Sequence, residues 1–185
     1  MPLSLTNAAW FEPEVDLHHP QDSQRLTVGY LGRPDREKGF HGLVELVGRV
    51  DESPRLVCAG PTAADCEDPL VECLGPIYSV EEKRNFFRPV DVLAFPTRAP
   101  QETEGIVVLE ALTMGTPVLM FNNGCLPART AESPAIVVVE TWEEFETALL
   151  ETDWSSLRSE ASALSLQLSE TGQSELEHLG RVMAW

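Results

Sequence analysis

Glu102 and Glu110 flank Gly105 in the stretch ETEGIVVLEALTMGTP, Glu102 to Pro117. A lone carboxylate inside an apolar run, as Glu110 is, is costly to bury without a partner. Two ribose hydroxyls would engage both of its oxygens, as acidic residues do in dinucleotide sites. Ahead of it, Gly105 lets a ligand approach the backbone closely. If a helix begins there, the amides of Gly105, Ile106 and Val107 have no partner inside it. Together with the helix dipole they suit a phosphate. A plainer reading also fits: Glu102, Glu104 and Glu110 as ordinary helix-start carboxylates, stabilised by the dipole and facing water.

A second stretch, GRPDREKG from Gly32 to Gly39, gathers Arg33, Arg36 and Lys38 in a chain whose net charge is −17 and whose lysines are two, Lys38 and Lys83. An arginine grips phosphate oxygens with its fork, and a lysine neutralises them as a point charge. The loop lacks the G-K-[S/T] ending of a Walker A motif. It is not G-x-G-x-x-G either, which disfavours a nicotinamide or flavin dinucleotide. Taken alone it also reads as a solvated loop in which Asp35, Arg36, Glu37 and Lys38 pair with one another. Taken with the first stretch, it describes a nucleoside diphosphate site. The cations and the helix N-terminus hold the diphosphate, and Glu110 holds the ribose.

Such a site needs both stretches at one end of one sheet. Strands are predicted over Leu26–Leu31, Arg55–Ala59, Leu70–Leu74, Asp91–Phe95, Val118–Phe121 and Ile136–Val139. Helices are predicted over Phe40–Val50, Ser79–Arg88 and from about Glu104 to Gly115. A further helix starts after Thr141, and two more follow from Asp153 onward, separated near Gly172. Ser79 with Glu82, and Thr141 with Glu144, have the spacing of capping boxes. The β-branched Ile106, Val107 and Val108 would suit a strand, but the apolar run continues to Met114 in good helix formers and is too long for one. Strands that alternate with helices, and are apolar without alternation, imply an α/β fold: a Rossmann-like parallel sheet with helices on both faces. In such sheets ligands sit beyond the strands' C-terminal ends. GRPDREKG, PTRAPQETEG and NNGCLP each follow a strand end, so they converge on one crevice.

Composition narrows the function. The 185 residues suffice for one domain with a real core, and 43% are apolar. The acidic balance argues against nucleic acid and against anionic membrane surfaces. No apolar run approaches the ~20 residues of a membrane span, and the N-terminus lacks the basic start of a signal peptide. Cys58, Cys66, Cys73 and Cys125 form no C-x-x-C pair and lack a histidine at zinc spacing. Cys58 and Cys73 are expected as buried thiols and the other two in loops. A cytoplasmic location is expected, and no metal site; the adjacent His18 and His19 read as part of a solvated loop.

GRPDREKG with its following apolar helix, and FPTRAPQETEGIVVLEALTMGTPVL, resemble the C-terminal, donor-binding domain of GT-B glycosyltransferases of family 4 (group 1). That family carries a G-R-x(n)-K-G loop and an E-x7-E motif, and the resemblance runs from about Leu26 to Val139. It implies the C-terminal half of a GT-B fold and retaining, metal-independent transfer of a hexosyl unit from a nucleoside-diphosphate sugar, UDP- or GDP-linked, with no cofactor. It implies that Gly32, Arg33 and Lys38 serve the leaving diphosphate and Glu102 the sugar hydroxyls. The backbone of Gly105, Ile106 and Val107 would serve the phosphate, Glu110 the ribose, and the loop at Gly75, Pro76 and Ile77 the nucleobase. Ala128 stands where an acid often falls.

On the same resemblance, residues 1–25 are expected as a lead-in or interdomain linker and 26–185 as the nucleotide-sugar-binding domain with C-terminal helices. Acceptor carbohydrate or lipid would be held by a separate N-terminal domain, and the chain alone would bind donor without transferring sugar. Trp154, Leu164, Leu168, Leu176 or Met183 would then be partly exposed, favouring a homo-oligomer through the terminal helices. Two other readings compete: a non-catalytic α/β interaction or regulatory module, and a GT-B-like nucleotide-sugar epimerase.

Overall fold

The structure, a computed structural model, describes residues 25–50, 54–66, 68–98, 105–123 and 133–164. Among them, six strands form one all-parallel sheet: β1 (Thr27–Leu31), β2 (Arg55–Ala59), β3 (Val71–Gly75), β4 (Val92–Phe95), β5 (Val118–Phe121) and β6 (Ile136–Val139). Their spatial order is β3-β2-β1-β4-β5-β6. The chain therefore builds outward from β1 in one direction, then returns to pair β4 with its other side.

Both faces of the sheet are covered, which is why the strands do not alternate with polar residues. On one face, α1 (Phe40–Arg49) and α4 (Trp142–Glu151) pack Phe40, Leu43, Leu46, Val47, Phe145 and Leu149 onto Val28, Leu56 and Leu119. On the other, α2 (Val80–Phe87) and α3 (Ile106–Thr113) pack Phe86, Phe87, Val108, Ala111 and Leu112 onto Val57, Leu93 and Val118. Gly42 of α1 gives Trp142 its place: a Cβ there would lie 2.4 Å from the indole Cζ2.

Within the described residues, the predicted strands and helices match the observed ones, with shifts at several boundaries. β3 starts one residue late because Asp68 closes a turn just before it, accepting from the Leu70 amide through its side chain and from the Val71 amide through its carbonyl. α3 starts at Ile106 because Gly105 takes up a left-handed conformation at φ 51°, ψ 46°. The Ser79–Glu82 capping box is complete at the start of α2. At α4, Thr141 accepts from the Glu144 amide, but the Glu144 carboxylate accepts from the Glu140 amide rather than from Thr141.

After α4 the chain crosses from one face to the other. Trp154 belongs to the first layer and donates its indole N–H to Leu149 O at 2.9 Å. Residues 158–164 are helical, and Ala161 and Leu164 join the second layer. Arg158 donates to the Val90 carbonyl beneath β4. Exposure of Trp154 is thus corrected: it is 3% exposed, since the crossing itself covers the ring. Leu168, Leu176 and Met183 lie outside the described residues, as do the predicted second terminal helix and residues 1–24 of the lead-in. Cys58 is buried as expected, whereas Cys73, on the edge strand β3, is only half-buried. No helix among the described residues is long and apolar enough to cross a membrane.

Candidate functional site

β1 and β4 are neighbours whose onward connections run to opposite sides, and such a switch point opens a crevice beyond the strands' C-terminal ends. The loops that leave them are tied together there. The Glu37 carbonyl accepts from the Arg98 amide at 2.7 Å and from the Thr97 hydroxyl at 3.4 Å. Asn123, after β5, donates its side-chain amide to the Thr97 carbonyl at 3.4 Å. All three loops singled out in the sequence therefore meet, joined largely through backbone atoms.

The loop after β1 is built by its glycines and by Tyr30. Gly32 donates its amide to Ala59 O at 3.0 Å, joining the ends of β1 and β2. Gly60 adopts φ 108°, and a Cβ there would lie 2.0 Å from Gly32 O. The Tyr30 hydroxyl donates to the Arg33 carbonyl at 2.6 Å. Burial above all, with the nearby Cys58 thiol and Asp35 carboxylate, keeps that phenol protonated well above its usual range, so it acts as a donor. Arg36–Lys38 forms a 3-10 turn, and Gly39 follows at φ 75°, capping α1. A Cβ on Gly39 would lie 2.3 Å from Pro96 O, so this loop can lie against the end of β4 only with glycine there.

Of the predicted cations, Arg33 is 78% exposed and its Nη2 lies 2.9 Å from Asp35 Oδ2. An exposed pair of this kind contributes on the order of 0–1 kcal/mol, so a phosphate can displace it. Lys38 is half-buried at the end of the 3-10 turn. Arg98 is engaged elsewhere: its guanidinium lies 3.9 Å above the Phe121 ring and donates to Glu140 O at 2.9 Å. It ties the β4 loop to the ends of β5 and β6.

α3 begins at the crevice. Gly105 O accepts from the Val108 amide at 2.7 Å, which leaves the amides of Gly105, Ile106 and Val107 without a partner inside the helix. Ile106 is 42% exposed and Val107 half-buried. Ile77, after β3, packs half-buried on the same layer, and Tyr78 beside it is 84% exposed. Glu102 lies outside the described residues, as does Ala128.

Glu110 does not face water. It is 8% exposed, and Lys83 of α2 donates to its Oε1 at 2.5 Å. The plainer reading of this residue as a solvated helix-start carboxylate is therefore corrected. Sequence reasoning required a partner for Glu110 but did not find this one. Its signal was the scarcity of lysine, yet the partner lies on another helix and no local spacing reveals it.

The family profile described as "Glycosyl transferases group 1" matches residues 25–152. The chain belongs to the group 1 glycosyl transferases. Curated relatives include a D-inositol 3-phosphate glycosyltransferase of Corynebacterium urealyticum, 33% identical across 61% of this chain and 31% of its own length. Another, from Corynebacterium glutamicum, is 24% identical across 85% of the chain and 40% of its own length. Among solved structures, sucrose-phosphate synthase from Thermosynechococcus elongatus has the same fold at TM-score 0.68 and 20% identity, with 86% of this chain and 46% of that one covered. Anabaena HepE in complex with UDP-glucose matches at TM-score 0.66 and 17% identity, covering 85% and 49%. This group 1 chain thus spans about a third to two fifths of those curated relatives and about half of the solved neighbours.

Proposed function

We propose that this group 1 chain is the C-terminal, donor-binding domain of a retaining family 4 glycosyltransferase with a GT-B architecture. The observation that carries the reading is the hydrogen-bonded junction of the β1 and β4 loops at the switch point. It sets the Arg33 and Lys38 loop beside the strand end from which the chain leads to the N-terminus of α3, with Glu110 further along that helix. The donor is a nucleoside-diphosphate sugar, and UDP-linked donors have support in the fold neighbour crystallised with UDP-glucose.

In this reading Gly32, Arg33 and Lys38 face the diphosphate from one side, and the amides of Gly105, Ile106 and Val107 face it from the other. As the bond from the anomeric carbon to the diphosphate oxygen breaks, negative charge collects on the leaving group. Cations and N–H donors already in place stabilise that charge without reorganising. They supply the positive charge that a divalent metal supplies elsewhere, so transfer is metal-independent. Glu102 holds the sugar hydroxyls, Glu110 the ribose and Ile77 the nucleobase. The acceptor, carbohydrate or lipid, binds on a second domain; one of its hydroxyl oxygens forms the new bond to the anomeric carbon, and the hydroxyl proton passes to the departing diphosphate. The share of the relatives that this chain covers fits such a division.

Calorimetric titration with UDP, GDP and ADP tests the reading. One nucleotide should bind, and Arg33→Ala with Lys38→Ala should abolish that binding while the fold persists. Binding that survives the double substitution, or none with any nucleotide, would count against the donor site. The isolated chain should show no acceptor glycosylation; detectable transfer would overturn the division between two domains.

A further inference from the structure

Lys83 stands in the first turn of α2, one residue past the Ser79–Glu82 capping box that fixes the start of that helix. Its side chain crosses to α3, where its ammonium meets Glu110 with side-chain exposures of 24% and 9%. Among the described residues, no other donor reaches the Glu110 carboxylate: Oε1 is held by Lys83, and Oε2 keeps its accepting capacity. A helical side chain leans toward the N-terminus of its own helix. For Glu110 that direction leads past Ile106, one turn earlier and 42% exposed at the crevice. The carboxylate is thus anchored through one oxygen, on a helix whose N-terminus the donor-site reading places against the ligand.

Resting on the donor-site reading above, we infer that Lys83 is a positioning residue for ribose recognition. It fixes the Glu110 carboxylate so that nucleoside diphosphates bearing a 2′-hydroxyl are preferred over their 2′-deoxy counterparts. Without Lys83, a largely buried carboxylate lacks a partner, and its side chain gains rotamers that turn it toward water instead of the crevice. Diphosphate binding, which uses the loop cations and the α3 amides, does not pass through Lys83.

The test is calorimetry on the full chain with the best-binding nucleoside diphosphate, its 2′-deoxy counterpart and inorganic pyrophosphate. The unsubstituted chain should bind the ribonucleotide at least about tenfold more tightly than the deoxynucleotide, the scale of a hydrogen bond to a charged group. Lys83→Met should bring that ratio close to one and leave pyrophosphate affinity unchanged, and Lys83→Arg should restore most of the preference. Lys83→Gln, which keeps a donor without the charge, serves if the methionine variant does not fold, with an intermediate ratio expected. A Lys83 variant that is folded and keeps the full preference overturns the inference while leaving the donor site standing. So does an equal loss for all three ligands. Absence of nucleoside diphosphate binding to the unsubstituted chain defeats both.

Discussion

Glu110 concentrates the physical conflict of this molecule, because it is the acidic member of a helix that is otherwise apolar up to Thr113 and is largely withdrawn from water. Its ion pair with Lys83 explains how the fold tolerates it. In the donor-site reading, a ribose is the reason for a carboxylate at this position. Glu110→Ala should weaken nucleoside diphosphate binding by roughly ten- to hundredfold while changing pyrophosphate binding little, since only the former has a ribose. Equal losses in parallel titrations would remove Glu110 from the ribose role. Gly39 is the other decisive residue. Its φ of 75° and the 2.3 Å approach of Pro96 O leave no room for a side chain. Gly39→Ala should cost about 1–2 kcal/mol for the left-handed conformation alone, with the clash added. It should also weaken pyrophosphate binding by separating the two loops. Urea denaturation and calorimetry read the two effects separately.

At the scale of elements, the Lys83–Glu110 ion pair joins α2 to α3. α2 is started by Ser79, which accepts from the Glu82 amide, and by Glu82, which accepts from the amides of Ser79 and Tyr78. Ser79→Ala should cost about 1 kcal/mol, measured by urea denaturation. The backbone amides of Ser79, then of Tyr78, hold the Glu82 carboxyl below its ordinary value of 4.5. A carboxyl whose value is lowered in the folded state stabilises fully above its unfolded value and loses that contribution as pH falls through the folded one. The stability difference between the parent chain and Glu82→Ala should therefore be greatest above pH 4.5 and shrink on acidification below it. A difference constant across that range would disprove the cap's dependence on charge.

The described residues form two apolar layers on either side of one parallel sheet, joined at the end opposite the crevice by the crossing that carries Trp154 and Arg158. That separation lets stability and binding be tested independently. Trp154→Ala removes a buried ring and its hydrogen bond to Leu149 O, and should cost about 3–5 kcal/mol. At temperatures where the variant stays folded, its nucleotide affinity should match the parent's. A parallel fall in affinity would mean that the crossing shapes the crevice.

Much of this was legible locally. Continuous apolar runs such as LVCA before Gly60 and VLMF before Asn122 specify buried parallel strands, because a strand covered on both faces needs no polar alternation. Capping residues and glycines mark where helices start and stop, since they act on the backbone within a turn of themselves. For the same reason the order of the motifs after strand ends was enough to predict that three loops meet. The sequence by itself could not show how the loops hold one another, through Glu37 O, Thr97 and Arg98, because backbone carbonyls carry no sequence signature. Nor could it reveal that Lys83 satisfies Glu110, or that Trp154 is buried. Those contacts join separate elements, and only the packing of helices onto the sheet brings their atoms within reach.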